Sequence, residues 1–220
     1  MLTRHQKLRA HATVGLSTQW FHCELSRSLS WVEFTERALK EEQSALERWL
    51  DAQDVGLATS EDEGLFLYLD SASDLKHTFP GLARGALVIT IVALFEAFLA
   101  RQVRAAGALC SYPGETNGLR GLRRKLEFLE NHAAVQLPKQ SEYWHGMKVV
   151  EKLRHLLVHS EGRLPEATPE LRSLFEREGI AIDENDRISL TPSSIEWVAE
   201  TLGALANEID DAIRRSIGVP

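Results

Sequence analysis

Arg154, His155 and His159 are the residues whose types and spacing best suit chemistry in this chain. They fall in a stretch that reads as one helix, from about Glu142 to His159. Ser141 is a suitable N-cap, and Glu142 puts negative charge in the first turn. Gly162 follows just past the end, where helices commonly stop. At about 100° per residue, His155 and His159 stand one turn apart on nearly the same face, with Arg154 beside them. Val149, Val150, Leu153, Leu156 and Leu157 supply the packed side. An arginine offers a permanent, fork-shaped charge for a phosphate. A histidine moves protons at neutral pH. Together these suit RNA transesterification, in which a 2′-hydroxyl loses a proton, the phosphorane is stabilised and a 5′-oxygen leaves. No metal or other cofactor is required.

Two other readings of the same residues stand beside this one. Arg154 and His155 could cap helix-end carbonyls, since cations favour that location. Glu151, His155 and His159 are spaced by four and could line one face as metal ligands. Zinc needs a further ligand, however, and three ligands on one straight helix rarely converge. No metal site is therefore expected. His22, Cys23, Glu24, His132 and His145 show no ligand spacing.

The stretch Val149-Val-Glu-Lys-Leu-Arg154-His155-Leu-Leu-Val-His159-Ser-Glu-Gly162 resembles the motif of the HEPN superfamily. That motif is an Arg, usually followed by Asn, Asp or His, then a His after four to six intervening residues. Here His155 takes the variable polar position and His159 follows after four. The resemblance extends over the layout from about residue 24 to 217. It implies an all-α, HEPN-like bundle and a metal-independent ribonuclease leaving a 2′,3′-cyclic phosphate. It also implies a homodimer with two facing motifs, and a toxin or phage-defence role with an antitoxin or defence-system partner. Carried over, Arg154 orients or neutralises the scissile phosphate. His159 is the acid/base group or transition-state stabiliser, and His155 supports RNA contact or the geometry of the pair. A non-catalytic HEPN module, binding nucleotide, RNA or a partner protein, is the alternative. One HEPN subgroup carries a modified Tyr two residues after the motif His. Glu161 stands there in this chain, which disfavours that arrangement.

Glu96 lies among Ala93-Leu94-Phe95 and Ala97-Phe98-Leu99, where a carboxylate needs a partner. It is expected either to orient Arg154 or a motif histidine, or to pair with Arg101 or reach solvent. Arg120, Arg123, Arg124 and Lys125 form a basic cluster that could guide an RNA backbone. An ordinary solvated helix face is the competing reading, because Glu127 and Glu130 follow.

Four main helices must position these residues. The first is expected from about Glu24 to Asp51, with Leu25, Leu29, Val32, Leu39 and Leu46 at helical spacing. Residues 1–23 are weakly patterned and read as an N-terminal extension to a domain over 24–217. Asp54–Gly64 is acidic, rich in small residues and reads as a loop. A second long helix opens at Pro80-Gly81 and runs to about Ala106, apolar nearly all round. A short helix over Leu119–His132, the motif helix and a short helix from Thr168-Pro169 to Gly179 follow. Ile180–Ile182 and Arg187–Leu190, either side of Asp183–Asp186, read as a small β-hairpin. The last helix is expected to start in a Ser193–Glu196 capping box.

The 220 residues suit one domain with a modest appendage. Net charge is −7, but residues 84–163 hold twelve Lys/Arg against seven Asp/Glu, so the remainder carries −12. This asymmetry leaves room for a local phosphate-binding surface in an acidic protein. Cys23 and Cys110 form no disulfide framework, and a reducing cytoplasm is the default. The basic N-terminus lacks the apolar core of a secretory signal. Gly85–Ala100 contains Thr90 and Glu96 and is short for a membrane span. It is expected to be a buried helix. Walker, GxGxxG, Gly-x-Ser-x-Gly and RNP-type motifs are absent.

Overall fold

A computed structural model describes residues 4–52, 74–112, 114, 116, 118–165 and 169–216. The segment Asp54–Gly64, read above as a loop, lies outside them. The helices are α1 (Arg4–Ala52), α2 (Phe79–Leu109), α3 (Gly121–Asn131), α4 (Glu142–His159), α5 (Pro169–Arg177) and α6 (Pro192–Ser216). A π-helical turn, Asp74–Thr78, leads into α2. Strands β1 (Ala181–Ile182) and β2 (Ile188–Ser189) stand before α6 and pair antiparallel, Ala181 opposite Ser189 and Ile182 opposite Ile188. The described residues are thus mostly helical, with one small sheet ahead of the last helix.

The main departure from expectation is α1, which starts at Arg4 rather than near Glu24. Val14, Phe21, Leu25 and Val32 are buried along it, spaced by seven, four and seven. Residues 4–23 therefore continue the face that Leu25 and Val32 begin. Their pattern is hard to read because the same face buries Ser17 and Thr18. Polar groups so placed need partners. Thr18 Oγ1 donates to Asp210 Oδ1 at 2.9 Å, and Arg214 Nε donates to Asp210 Oδ2 at 2.6 Å. Gln102 Nε2 reaches the Val14 carbonyl at 3.3 Å and Thr18 Oγ1 at 3.4 Å. These bonds tie α1, α2 and α6 together where apolar contact would otherwise do so.

α2 is the central helix, and its buried residues point to several neighbours: α1, α3, α4 and α6 all pack on it. By length and composition it is the one helix among the described residues that could cross a membrane. Here 44% of that apolar window is buried, against the neighbouring helices. Phe21, Phe95 and Phe98 meet at ring-centroid distances of 5.5–5.7 Å in the middle of the core. Nearer the start of α2, Arg84 grips Glu36 through Nε and Nη2, both at 2.6 Å, and donates Nη1 to the Leu190 carbonyl at 2.9 Å. One side chain thus joins α1, α2 and the entry to α6. These pairings fix the directions. Val14 lies by Gln102 and Glu36 by Arg84, so α1 and α2 are antiparallel.

α6 begins two residues earlier than expected. Thr191 is its cap, and Pro192 takes the first helical position, where a missing N–H costs nothing. Ser194 N donates to Thr191 Oγ1 and Thr191 N donates to Ser194 Oγ, both at 3.2 Å. This reciprocal cap replaces the Ser193–Glu196 box. Along α6 the apolar face is Ile195, Val198, Leu202, Leu205, Ile209 and Ile213, all buried. Gly146 of α4 allows close contact with it, because a Cβ there would stand 2.7 Å from Thr201 Cγ2.

Candidate functional site at the end of the motif helix

Ser141 caps α4 as its sequence implies, accepting from Tyr143 N at 3.1 Å and Trp144 N at 3.4 Å. Glu142 beside Tyr143 pushes that phenol above its ordinary value, at the end of α4 away from the motif. Val149, Val150, Leu153 and Leu156 are buried and fix the rotation of the helix. That rotation leaves Arg154 half-buried and both His155 and His159 exposed. The two imidazoles lie 4.7 Å apart between centroids and are tilted by 47°.

The structure brings the two histidines together, but Arg154 touches neither ring. One residue on, His155 is turned about 100° around the axis from Arg154; five on, His159 is turned about 140°. The Arg154 side chain makes no hydrogen bond or ion pair among the described residues. The helix-end carbonyl of Leu156 is satisfied by backbone, accepting from Ser160 N at 2.9 Å and Gly162 N at 3.0 Å. Neither Arg154 nor His155 donates to such a carbonyl. The capping role weighed for them is thus filled by the chain itself.

Gly162 adopts φ +76°, which turns the chain back sharply after Ser160. The returning strand then docks on the hairpin. Ile188 N donates to the Gly162 carbonyl at 2.9 Å, Leu164 N donates to the Asp186 carbonyl at 2.8 Å, and Arg163 bridges Arg187. The hairpin therefore anchors the exit of the motif helix. Its own turn is set by Asp183 Oδ1, which accepts from Asn185 N and Arg187 N. Arg163 and Arg187, both exposed, join the motif end in this way, and Arg187 faces Glu161 at 3.8 Å. Sequence reasoning passed over these two arginines. A one-residue bridge between loop and hairpin leaves no periodic signal by which to find them.

Glu96 stands elsewhere. Its carboxylate pairs with Lys125 of α3 at 3.6 Å, not with Arg154, a motif histidine or Arg101. The reason is axial position. Gly85 marks where Leu157 of α4 approaches α2, 3.7 Å from an ideal Cβ. From there to Glu96 the helix climbs about 16 Å at 1.5 Å per residue. Arg101 instead lies over the Trp20 ring, its Cζ 3.5 Å from the ring centroid.

The same pair corrects the reading of the basic cluster. Lys125 is buried and gives its ammonium to Glu96 and to the Gly121 carbonyl, at 3.3 Å, so it is withdrawn from any phosphate. Arg120, Arg123 and Arg124 remain exposed, with Arg123 held by Glu127 at 2.8 Å. Removing the partner of a buried charge costs more than removing both. Glu96→Gln is therefore expected to lower stability by about 1–3 kcal/mol in urea unfolding. The double variant Glu96→Gln/Lys125→Met should recover most of that loss. A Glu96→Gln variant as stable as wild type would show that the pair does not hold α3.

Among the described residues no three of His, Cys, Asp and Glu gather where they could hold a metal ion. Glu151, His155 and His159 thus do not form a ligand set. No family model, no curated protein and no solved structure matches this chain.

Proposed function

We propose that the chain is a metal-independent endoribonuclease of the HEPN type. It acts in the cytoplasm as a homodimer, as a toxin or phage-defence effector with an antitoxin or defence-system partner. The observation that carries this reading is Arg154, half-buried and without a counter-ion among the described residues, on the helix whose last turn holds the His155–His159 pair. A guanidinium in that state is available to a phosphate. In the proposed reaction His159 takes the 2′-hydroxyl proton and the 2′-oxygen bonds to phosphorus. The bond from phosphorus to the 5′-oxygen breaks, and that oxygen takes a proton from the motif of a second copy. The products are a 2′,3′-cyclic phosphate and a 5′-hydroxyl. Arg154 offsets the charge that gathers on the phosphorane oxygens.

Two features support a dimer. The rotation of Arg154 away from both imidazoles means that one helix does not aim all three groups at one phosphate. Val158, between the histidines in sequence, is 42% exposed and offers apolar surface for a second α4. The test is to incubate purified protein with a structured RNA in excess EDTA and to analyse the ends. Cyclic phosphates and 5′-hydroxyls are expected. Cleavage that stops in EDTA, or leaves 5′-phosphates, would refute the mechanism.

One observation favours the second reading, a non-catalytic HEPN module that binds nucleotide, RNA or a partner protein. Neither motif imidazole has a hydrogen-bond partner among the described residues to fix its tautomer. That reading predicts RNA binding without turnover in the same assay.

A further inference from the structure

At the end of the bundle away from the motif, α1 and α2 enclose an open groove of about 640 Å³. From Gly85, where Leu157 packs, to Arg101 on its wall, α2 climbs about 24 Å. Three guanidinium side chains line the groove: Arg9 from α1, and Arg101 and Arg104 from α2. No carboxylate is among the described lining residues. None of the three arginines makes an ion pair among the described residues. Arg101 spreads over the Trp20 ring, and Arg104 Nε donates to its own helix at the Ala100 carbonyl, 3.3 Å away. The other donors of all three have no partner among the described residues. Leu16, 63% exposed, and three alanines give the groove an apolar bed.

Three like charges around one concavity repel one another, and none of the described acidic residues stands in this wall. We infer that the groove binds a small organic polyphosphate, with the phosphate chain across Arg9, Arg101 and Arg104 and the organic body on Leu16. Guanidinium forks match phosphate oxygens in pairs, and three of them suit a multiply charged ligand. The groove's volume is that of a small-molecule site. An extended nucleic-acid strand needs a longer positive track. The compact trio therefore selects a compact ligand.

The site does not depend on the ribonuclease reading, because binding is measured at equilibrium without turnover. The probes are ATP and inorganic tripolyphosphate, titrated calorimetrically into the full chain at physiological salt, with a 20-nucleotide RNA as a third titrant. Saturable binding of one ATP per chain is expected, tighter than tripolyphosphate by tenfold or more. Arg9→Gln and Arg104→Gln should each weaken it by about tenfold, and the double variant should abolish it. Arg101 is left intact because its stacking on Trp20 supports the fold. The control Arg120→Gln/Arg124→Gln, which removes exposed charge on α3, should bind ATP like wild type. Circular dichroism and melting temperature confirm that each variant is folded. Absence of ATP binding, equal loss in the α3 control, or tripolyphosphate binding as tightly as ATP would each overturn the inference. So would RNA binding that depends on Arg9 and Arg104 while ATP does not bind.

Discussion

Replacing His159 by Ala is expected to lower RNA cleavage by about 10³-fold, within the span seen when a positioned acid or base is removed. Replacing Arg154 by Ala is expected to cost about 10²–10³-fold, as for loss of one charge-stabilising donor. Neither change should disturb folding. His159 is exposed and its ring meets that of His155, and the Arg154 side chain has no hydrogen-bond or ion-pair partner among the described residues to lose. The comparison that isolates chemistry is Arg154→Lys, which keeps the charge and loses the fork. It should bind RNA nearly as wild type while cleaving it at least tenfold more slowly. Mixed dimers sharpen the result. Combining Arg154→Ala chains with His159→Ala chains should restore part of the activity if each site draws on both copies. Cleavage within twofold of wild type in both single variants would remove the motif from the mechanism.

The legible parts of this protein were those specified by neighbouring residues. Ser141, Glu142 and Gly162 mark the ends of α4 because caps and left-handed turns are local interactions. The hairpin was readable for the same reason, since Asp183 closes its turn within four residues. The N-terminal half of α1 was not. Its buried face carries Ser17 and Thr18, whose place in the core depends on Asp210, 192 residues from Thr18. A hydroxyl in such a position reads as a break in the apolar pattern.

The candidate site divides along the same line. That His155 and His159 share a face follows from helical spacing alone. The partner of Glu96 does not, because it depends on which part of α3 crosses α2 at that height. Lys125 looked like one of four surface cations, yet it is the one turned inward to meet that carboxylate. Tertiary register decided both assignments, and no spacing within either helix encodes it. The docking of Gly162 and Arg163 on the hairpin is likewise a product of register.

The largest effect on stability is expected from Phe95→Ala. Phe95 is fully buried and touches Phe21 of α1 and Phe98 of its own helix, so its ring fills the centre where α1 and α2 cross. Truncation removes the transfer energy of the ring and leaves a cavity that two further aromatic rings cannot readily collapse to fill. Losses of this kind run to about 3–5 kcal/mol. Against a typical total of about 5–15 kcal/mol, that is a large share of the whole. Urea unfolding should therefore show a much lower midpoint with a nearly unchanged slope. Phe34→Ala is the matched control, since the same ring is lost from a position 64% exposed. Its cost should stay within about 0.5 kcal/mol, as for surface changes. The contrast tests whether α1 joins the core through Phe21. If Phe95→Ala cost less than about 1 kcal/mol, the three rings would not be packed as one cluster. The antiparallel α1–α2 pairing would then have to rest on polar contacts such as the Arg84–Glu36 clamp and the Gln102 bonds to Val14 and Thr18.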